Sequence, residues 1–168
     1  MSVKFEVKMT TKIMNDFMLY HNYTQLSGIV GAMLGVVGLW IGIKNISGGN
    51  FQTAIAGFAI AFLFLLWTPM NTKRMAKRQV ENTPMFQKPL EYELHEEGVT
   101  IRQEDAQALN KWEDFAKAVS TNNSIILYIT RVRAIIFPKS SMGDKYEDVI
   151  KMISTHMPPA KVKIRHIH

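Results

Sequence analysis

Two long apolar runs dominate this 168-residue chain. They span residues 26–43 and 51–70, contain no charged residue, and are joined by the short segment 44–50. A helix needs about 20 apolar residues to cross the hydrocarbon core of a bilayer, and a helix that is apolar on all sides does not suit the surface of a soluble domain. We therefore predict a transmembrane helical hairpin. The alternative is a buried hairpin of a soluble domain, which is disfavoured because the remaining chain is too small to enclose it.

Small residues recur on one face of each apolar run. In the first run, glycines alternate at intervals of three and four residues: Gly28, Gly31, Gly35, Gly38 and Gly42. The second run has a matching row: Thr53, Gly57 and Ala61. At about 100° per residue the glycines share one helix face, and small residues allow close helix approach in lipid. We predict that the two faces pack within the hairpin; the alternative is a homodimer formed through the glycine stripe.

Basic residues are concentrated directly after the second run: Lys73, Arg74, Lys77 and Arg78. Residues 1–16 contribute three more lysines, whereas the segment between the runs has only Lys44. Positive charge favours the cytoplasmic side, so we predict a plasma-membrane protein with both termini cytoplasmic and the loop external. The four residues act as an orientation signal or, alternatively, also contact anionic lipids, at about 1 kcal/mol per basic residue.

Outside the apolar runs, the pattern is mostly that of strands. Residues 3–9 alternate strictly between apolar and polar side chains, which is the period of a half-buried strand. Residues 11–25 form an amphipathic pattern that predicts a helix at the membrane interface. Six further strands are predicted over 90–94, 99–101, 106–112, 115–121, 124–130 and 134–137. Residues 144–157 return to helical period, with Asp144 as the predicted cap.

Short motifs in the strand region carry a family resemblance. They are Tyr92–Leu94 with Glu97–Val99, Trp112–Phe115, Ile126–Tyr128 and Ala134–Lys139. In this arrangement the chain resembles the YcxB-like family of bacterial membrane proteins over essentially its whole length. The positions that carry the likeness are core and turn residues rather than a catalytic signature: Tyr92, Gly98, Trp112, Tyr128 and Pro138.

The resemblance implies an α+β membrane protein. Its cytoplasmic part would be a pleckstrin-homology-like (PH-like) antiparallel β-sandwich or barrel of seven strands with one C-terminal helix. Residues 90–137 supply six strands, so we predict that residues 3–9 are the seventh and that the hairpin is an insertion within one sandwich. The alternative is a short strand that covers only the interfacial helix.

The predicted segments follow in chain order. They are an N-terminal strand (1–10), an interfacial helix (11–25), transmembrane helix 1 (26–43), an external loop (44–50), transmembrane helix 2 (51–70), a basic juxtamembrane segment (71–83), the YcxB-like PH-like domain (84–157) and a basic tail (158–168).

No enzymatic chemistry is predicted. The absence of cysteine removes disulfides and thiolate sites. His166 and His168 could face one side of a strand, but no other metal ligands accompany them, so we predict no metal and no cofactor. A strand-to-turn corner explains the paired carboxylates Glu113 and Asp114, and His95 belongs to a solvated turn. The basic excess lies beside the membrane and in the tail, which disfavours nucleic-acid binding.

These observations predict a non-enzymatic integral membrane protein that presents a cytoplasmic interaction module. Its partners would be membrane lipids, through a headgroup, or an unidentified protein segment. The first alternative is an immunity or resistance protein against a membrane-active peptide, with the hairpin as the working part. The second alternative is an enzyme of unknown class.

Overall fold

The computed structural model describes residues 2–164. The chain is a mixed α+β protein with two long apolar helices. Its helices are α1 (Thr11–Thr24), α2 (Leu26–Ser47), α3 (Phe51–Ala61), α4 (Thr68–Asn82), α5 (Lys139–Met142) and α6 (Tyr146–His156). Its strands are β1 (Val3–Val7), β2 (Leu90–His95), β3 (Gly98–Gln103), β4 (Ala106–Lys111), β5 (Lys117–Ser120), β6 (Ser124–Tyr128), β7 (Ala134–Pro138) and β8 (Val162–Lys163). The prediction for His166 and His168 concerns residues outside those that the structure describes.

The chain divides into two compact units. Residues 2–17 and 79–164 form the β unit, and residues 18–78 form the helical unit. The β unit contains two four-stranded sheets with the strand orders β1-β2-β3-β4 and β7-β6-β5-β8. β1 pairs antiparallel with β2, with Val3 opposite Leu94 and Val7 opposite Leu90. The helical unit is therefore inserted in the chain between two strands that are neighbours in one sheet.

Alternation in β1 places its apolar side chains in the core. Val3, Phe5 and Val7 are buried, whereas Lys4 and Glu6 are exposed. The ring of Phe5 lies 5.2 Å from that of Phe137 in an edge contact, so this strand joins the packing of both sheets. The predicted seventh strand is thus present in the β unit, because its apolar face has no other core to enter.

The second sheet contains a strand that the sequence did not predict. Val162 and Lys163 pair parallel with Ala118 and Val119 of β5, inside the segment predicted to be a basic tail. Lys161 donates a hydrogen bond from its Nζ to the carbonyl of Phe115 at 3.0 Å. A two-residue strand leaves no readable period, which is why composition suggested only a charged tail.

The first apolar helix is longer than predicted, and the connecting loop is shorter. α2 runs to Ser47, so the loop contains only residues 48–50 rather than 44–50. Within residues 44–47, Asn45 Nδ2 donates to the Ile41 carbonyl at 2.9 Å. Gly49 then reverses the chain at a φ of +77°, and Asn50 Oδ1 accepts from the Thr53 amide to cap the next helix.

The second apolar helix also runs past its predicted end at residue 70. Phe51–Asn82 is a continuous helical segment, with a π-helical turn at Phe62–Trp67 between α3 and α4. Pro69 lacks the amide that would bond to the Leu65 carbonyl, and its ring would clash with that carbonyl in a regular α-helix. The wider turn removes this conflict, and the Thr68 hydroxyl donates to the Leu63 carbonyl at 3.0 Å.

Three further boundaries differ from prediction. Trp112–Asp114 form a 3-10 turn, so the third and fourth predicted strands shorten to β4 and β5. Asp144 does not cap α6, because Gly143–Lys145 form a separate 3-10 turn and Lys145 occupies the cap position without a side-chain hydrogen bond. The helix still buries the predicted apolar stripe, which includes Val149, Ile150 and Ile153.

A charge cluster lies on the outer face of β1, β2 and β3. The Glu93 carboxylate is 3.2 Å from Lys4 Nζ and 2.6 Å from Arg102 Nη1. Burial acts to raise the pKa of Glu93, but the hydrogen bonds and charges of Lys4 and Arg102 outweigh it and hold the pKa below its usual value. The ionised carboxylate therefore stabilises the folded strands.

We expect this charge cluster to contribute to the loss of stability that the protein shows as the pH falls. A carboxyl with a lowered folded pKa stabilises above its unfolded pKa of about 4.3, and that contribution is lost as the pH falls through the folded pKa. Glu93→Gln should lower the unfolding temperature at neutral pH and flatten its decline on acidification. The measurement is thermal unfolding as a function of pH, with Glu113→Gln as a control because that side chain is 76% exposed. A Glu93→Gln curve parallel to that of the unaltered protein would contradict this role.

Candidate functional site

The glycine stripe lies against the second helix of the same hairpin. Gly31, Gly35, Gly38 and Gly42 are buried in α2. A Cβ added at Gly38 would lie 2.8 Å from the carbonyl oxygen of Gly57, and one added at Gly57 would lie 2.6 Å from the amide nitrogen of Gly42. The two backbones therefore approach each other where both chains lack a side chain.

Two members of the predicted small-residue faces, Gly28 and Thr53, do not lie in the contact between the two helices. Thr53 is exposed, and the buried row of α3 is Ala54, Gly57 and Ala61. Gly57 and Ala61 are therefore buried as predicted, and only the first member of the row differs. A Cβ at Gly28 would overlap the carbonyl of Asn22, so this glycine accommodates the turn between α1 and α2 rather than the partner helix.

The basic juxtamembrane residues lie on the exposed side of α4: Lys73, Arg74, Lys77 and Arg78. Thr72 and Ala76 form the buried side of the same turns. The Thr72 hydroxyl donates to the Thr68 carbonyl at 2.9 Å and accepts from Asn22 Nδ2 at 3.4 Å. This link, which the sequence did not indicate, joins the end of α1 to α4 within the helical unit.

The residues that carry the family likeness are structural. Tyr92, Trp112 and Tyr128 are buried, and burial raises the pKa of the Tyr92 hydroxyl. Gly98 begins β3, where a Cβ would overlap the carbonyl of Asn110 on β4. Pro138 ends β7 opposite Ser124. They hold the two sheets and their turns in place.

A cleft of about 810 Å³ opens beside Trp112. The indole ring stacks on the His156 imidazole with centroids 5.2 Å apart, and its Nε1 donates to the His95 carbonyl at 2.9 Å. His95 Nδ1 accepts from the Glu97 amide, and its Nε2 lies 2.8 Å from the Thr100 hydroxyl. The histidine of the predicted solvated turn is therefore bonded at both ring nitrogens and supports the floor of the cleft.

The walls of the Trp112–His156 cleft carry charges of both signs. Three carboxylates, Glu96, Glu97 and Glu113, face it together with two ammonium groups, Lys111 and Lys161. Lys111 and Glu113 lie 3.8 Å apart and are both exposed. Among the described residues, no group of three or more histidine, aspartate or glutamate side chains is arranged to hold a metal ion.

The cleft lies at one end of the first sheet. β1 ends at Val7, which pairs with Leu90 at the start of β2, whereas the cleft is lined from Glu96, the residue after β2 ends at His95. At about 3.3 Å per residue, the five steps from Leu90 to His95 separate these two ends by about 17 Å. The cleft is thus remote from the end of β1 at which the chain continues toward the helical unit.

The fold and the cleft define a class: a mixed α+β protein in which a hairpin of two apolar helices interrupts a two-sheet β unit, with a polar cleft at one sheet end. Residues 94–153 match the model of the family described as YcxB-like protein, and this supports the assignment of the chain to that family. The matched segment runs from β2 into α6 and includes Trp112. Comparisons with curated proteins and with solved structures found no match.

Proposed function

We propose that the chain is a non-enzymatic plasma-membrane protein that holds a cytoplasmic PH-like interaction module against the bilayer. The observation that carries this proposal is the apolar hairpin itself, which is long enough to span a membrane and buries little of its surface. Only 22% of the apolar window of α2 and 17% of that of Phe51–Asn82 are buried within the protein. Apolar surface of this extent needs a nonpolar surrounding.

The strand arrangement supports a PH-like module. β1 to β4 form one antiparallel sheet, β5 to β7 form the antiparallel part of the other, and α6 follows. Seven strands and a closing helix are what the family resemblance implies, and β8 is an addition at one edge. Insertion of the hairpin between β1 and β2 then ties the module to the membrane through two chain segments.

The charges of the Trp112–His156 cleft favour a protein segment as its ligand. Its three carboxylates, Glu96, Glu97 and Glu113, would repel a phosphate headgroup, whereas a peptide that carries both signs of charge can pair with these carboxylates and with the two lysines. The cleft lies at the end of β2 opposite the Val7–Leu90 pair, within the unit that we propose to be cytoplasmic. The module would thereby place that partner at the inner leaflet.

Reporter fusions test the orientation. A reporter that is active only outside the cytoplasm should be active when inserted after Gly48 and inactive when attached after His168. The reason is that the basic residues of α4 follow the second apolar run, and positive charge favours the cytoplasmic side. A reporter that is active only inside should give the opposite pattern. Extracytoplasmic activity from the fusion after His168 would refute the proposed topology.

Site-specific photocrosslinking in intact cells tests the cleft. A crosslinking residue at Glu113 should give a discrete protein adduct, and the same residue at Glu91, on the outer face of β2, should not. Glu97→Lys should weaken the adduct by reversing one charge of the cleft wall, without loss of thermal stability. Equal adducts at both positions, or none at Glu113, would argue against this ligand site.

A further inference from the structure

The loop between β6 and β7 presents an isolated apolar side chain to the outside. Val132 is 77% exposed, more than any other large apolar side chain in the described part of the β unit, where Met85 and Leu109 reach 43%. Exposed arginines, Arg131 and Arg133, flank it. Within residues 2–164, neither guanidinium has an ion pair.

This β6–β7 loop, residues 129–133, is held in shape by hydrogen bonds among its own residues. The Thr130 hydroxyl accepts hydrogen bonds from the amides of Val132 at 3.3 Å and Arg133 at 3.0 Å. The Arg133 carbonyl accepts from the amide of Ile129 at 2.9 Å. Exposure of Val132 is therefore a consequence of an ordered turn, so the side chain is presented before any partner arrives.

The loop borders the place where the chain leaves the β unit. Val132 and Arg133 line a largely apolar cavity of about 320 Å³ together with Phe17 and Gln79. These last two are the residues at which the β unit gives way to the helical unit in the sequence. The position of Phe17 is set by its neighbour Asp16, whose carboxylate accepts from the Thr121 hydroxyl at 2.6 Å and from Asn123 Nδ2 at 2.9 Å.

We infer that the β6–β7 loop docks on the anionic surface of the bilayer that the hairpin spans. Val132 would enter the boundary between headgroups and acyl chains, and the two guanidinium groups would bind lipid phosphates on either side of it. An apolar residue between cations is the chemistry that binds an anionic interface. This inference rests on the proposed function, because the hairpin must lie in the membrane for a loop of the β unit to meet that bilayer.

Lipid-borne quenchers test the contact in the full-length protein. The chain has no cysteine, so a single cysteine can be labelled uniquely. An environment-sensitive fluorophore at Val132→Cys, in vesicles that contain brominated anionic phosphatidylglycerol, should be quenched strongly. The matched control is Leu109→Cys on β4, an apolar position of the same unit, which should be quenched little. Arg131→Gln with Arg133→Gln should reduce the quenching at position 132 to that of the control, as should replacement of the brominated anionic lipid by brominated phosphatidylcholine.

A third label separates this inference from the proposed function on which it rests. Val36→Cys lies on the exposed side of α2 and should be quenched in either lipid if the hairpin is inserted. Quenching at position 36 without quenching at 132 would overturn the docking loop alone. No quenching at 36 would overturn membrane insertion and the docking loop with it. A label at 132 that is shielded from an aqueous quencher but not reached by brominated lipid would overturn lipid docking in favour of a protein contact.

Discussion

Phe5→Ala should unfold much of the β unit, although the residues of the helical unit lie between Phe5 and the other strands in the sequence. The Phe5 ring is 6% exposed and lies 5.9 Å from Tyr92 and 5.2 Å from Phe137. Truncation of a buried phenylalanine to alanine costs about 3–5 kcal/mol, which is a large part of the about 5–15 kcal/mol that stabilises a typical protein. Deletion of residues 2–9 should cost more, because β2 would also lose its antiparallel partner.

The measurement is thermal and denaturant unfolding of the β unit in the full-length protein, followed by the near-ultraviolet signal of its aromatic residues. Glu6→Ala is the matched control, since Glu6 lies on the exposed face of the same strand and its loss should change stability by less than about 0.5 kcal/mol. Equal stability of Phe5→Ala and Glu6→Ala would contradict the role of β1. So would a fragment that starts at Met85 and folds as stably as the β unit of the whole chain.

Gly57→Leu should separate the two apolar helices and lower their stability more than any other single glycine replacement we propose. A Cβ at this position would lie 2.6 Å from the amide nitrogen of Gly42 and 2.7 Å from the carbonyl oxygen of Gly38. Both are backbone atoms, which cannot rotate away as a side chain can. Overpacking costs about 1–3 kcal/mol and occasionally more, and we expect this variant at or above the upper end.

Two companion variants make the test specific. Gly35→Leu should be milder, because its added atoms meet the side chain of Leu65, which can change rotamer. Val36→Leu should be close to neutral, because Val36 is 59% exposed on the other side of α2. The measurement is the loss of helical signal on heating in detergent micelles. If the three variants lost equal stability, the close approach of α2 and α3 would not be what holds the hairpin.

The elements predicted well were those with a long, uninterrupted pattern. The two apolar runs, the alternation at the N-terminus and the apolar stripe of α6 each extend over enough residues for their period to be read directly. The strand count also placed β1 beside the others. The sequence missed β8, the extra turns at the ends of both apolar helices and the π-helical turn before Pro69. Each of these depends on a few residues whose local preference is weak.

The candidate site was less predictable than the fold. From the sequence, Trp112 was interpreted as a core residue, His95 as a turn residue and Glu113 as part of a strand-to-turn corner. No local pattern connected these three residues with His156. The cleft exists because the last turn of α6 lies against the 3-10 turn that follows β4, where His156 stacks on Trp112. Such a contact depends on the path of the chain between the two residues, so spacing does not reveal it.

The sequence by itself was enough to predict two helices long and apolar enough to span a membrane at residues 26–43 and 51–70, and the alternation of residues 3–9 was enough to predict the strand found at Val3–Val7. Tertiary structure decided which surfaces meet. The Thr121 hydroxyl donates to the Asp16 carboxylate, 105 positions away, and the first buried residue of α3 is Ala54 rather than Thr53. Periodicity reports which side of an element is apolar, but the partner of that side is set by packing between residues remote in sequence, where differences of one residue or a few ångströms decide the contact.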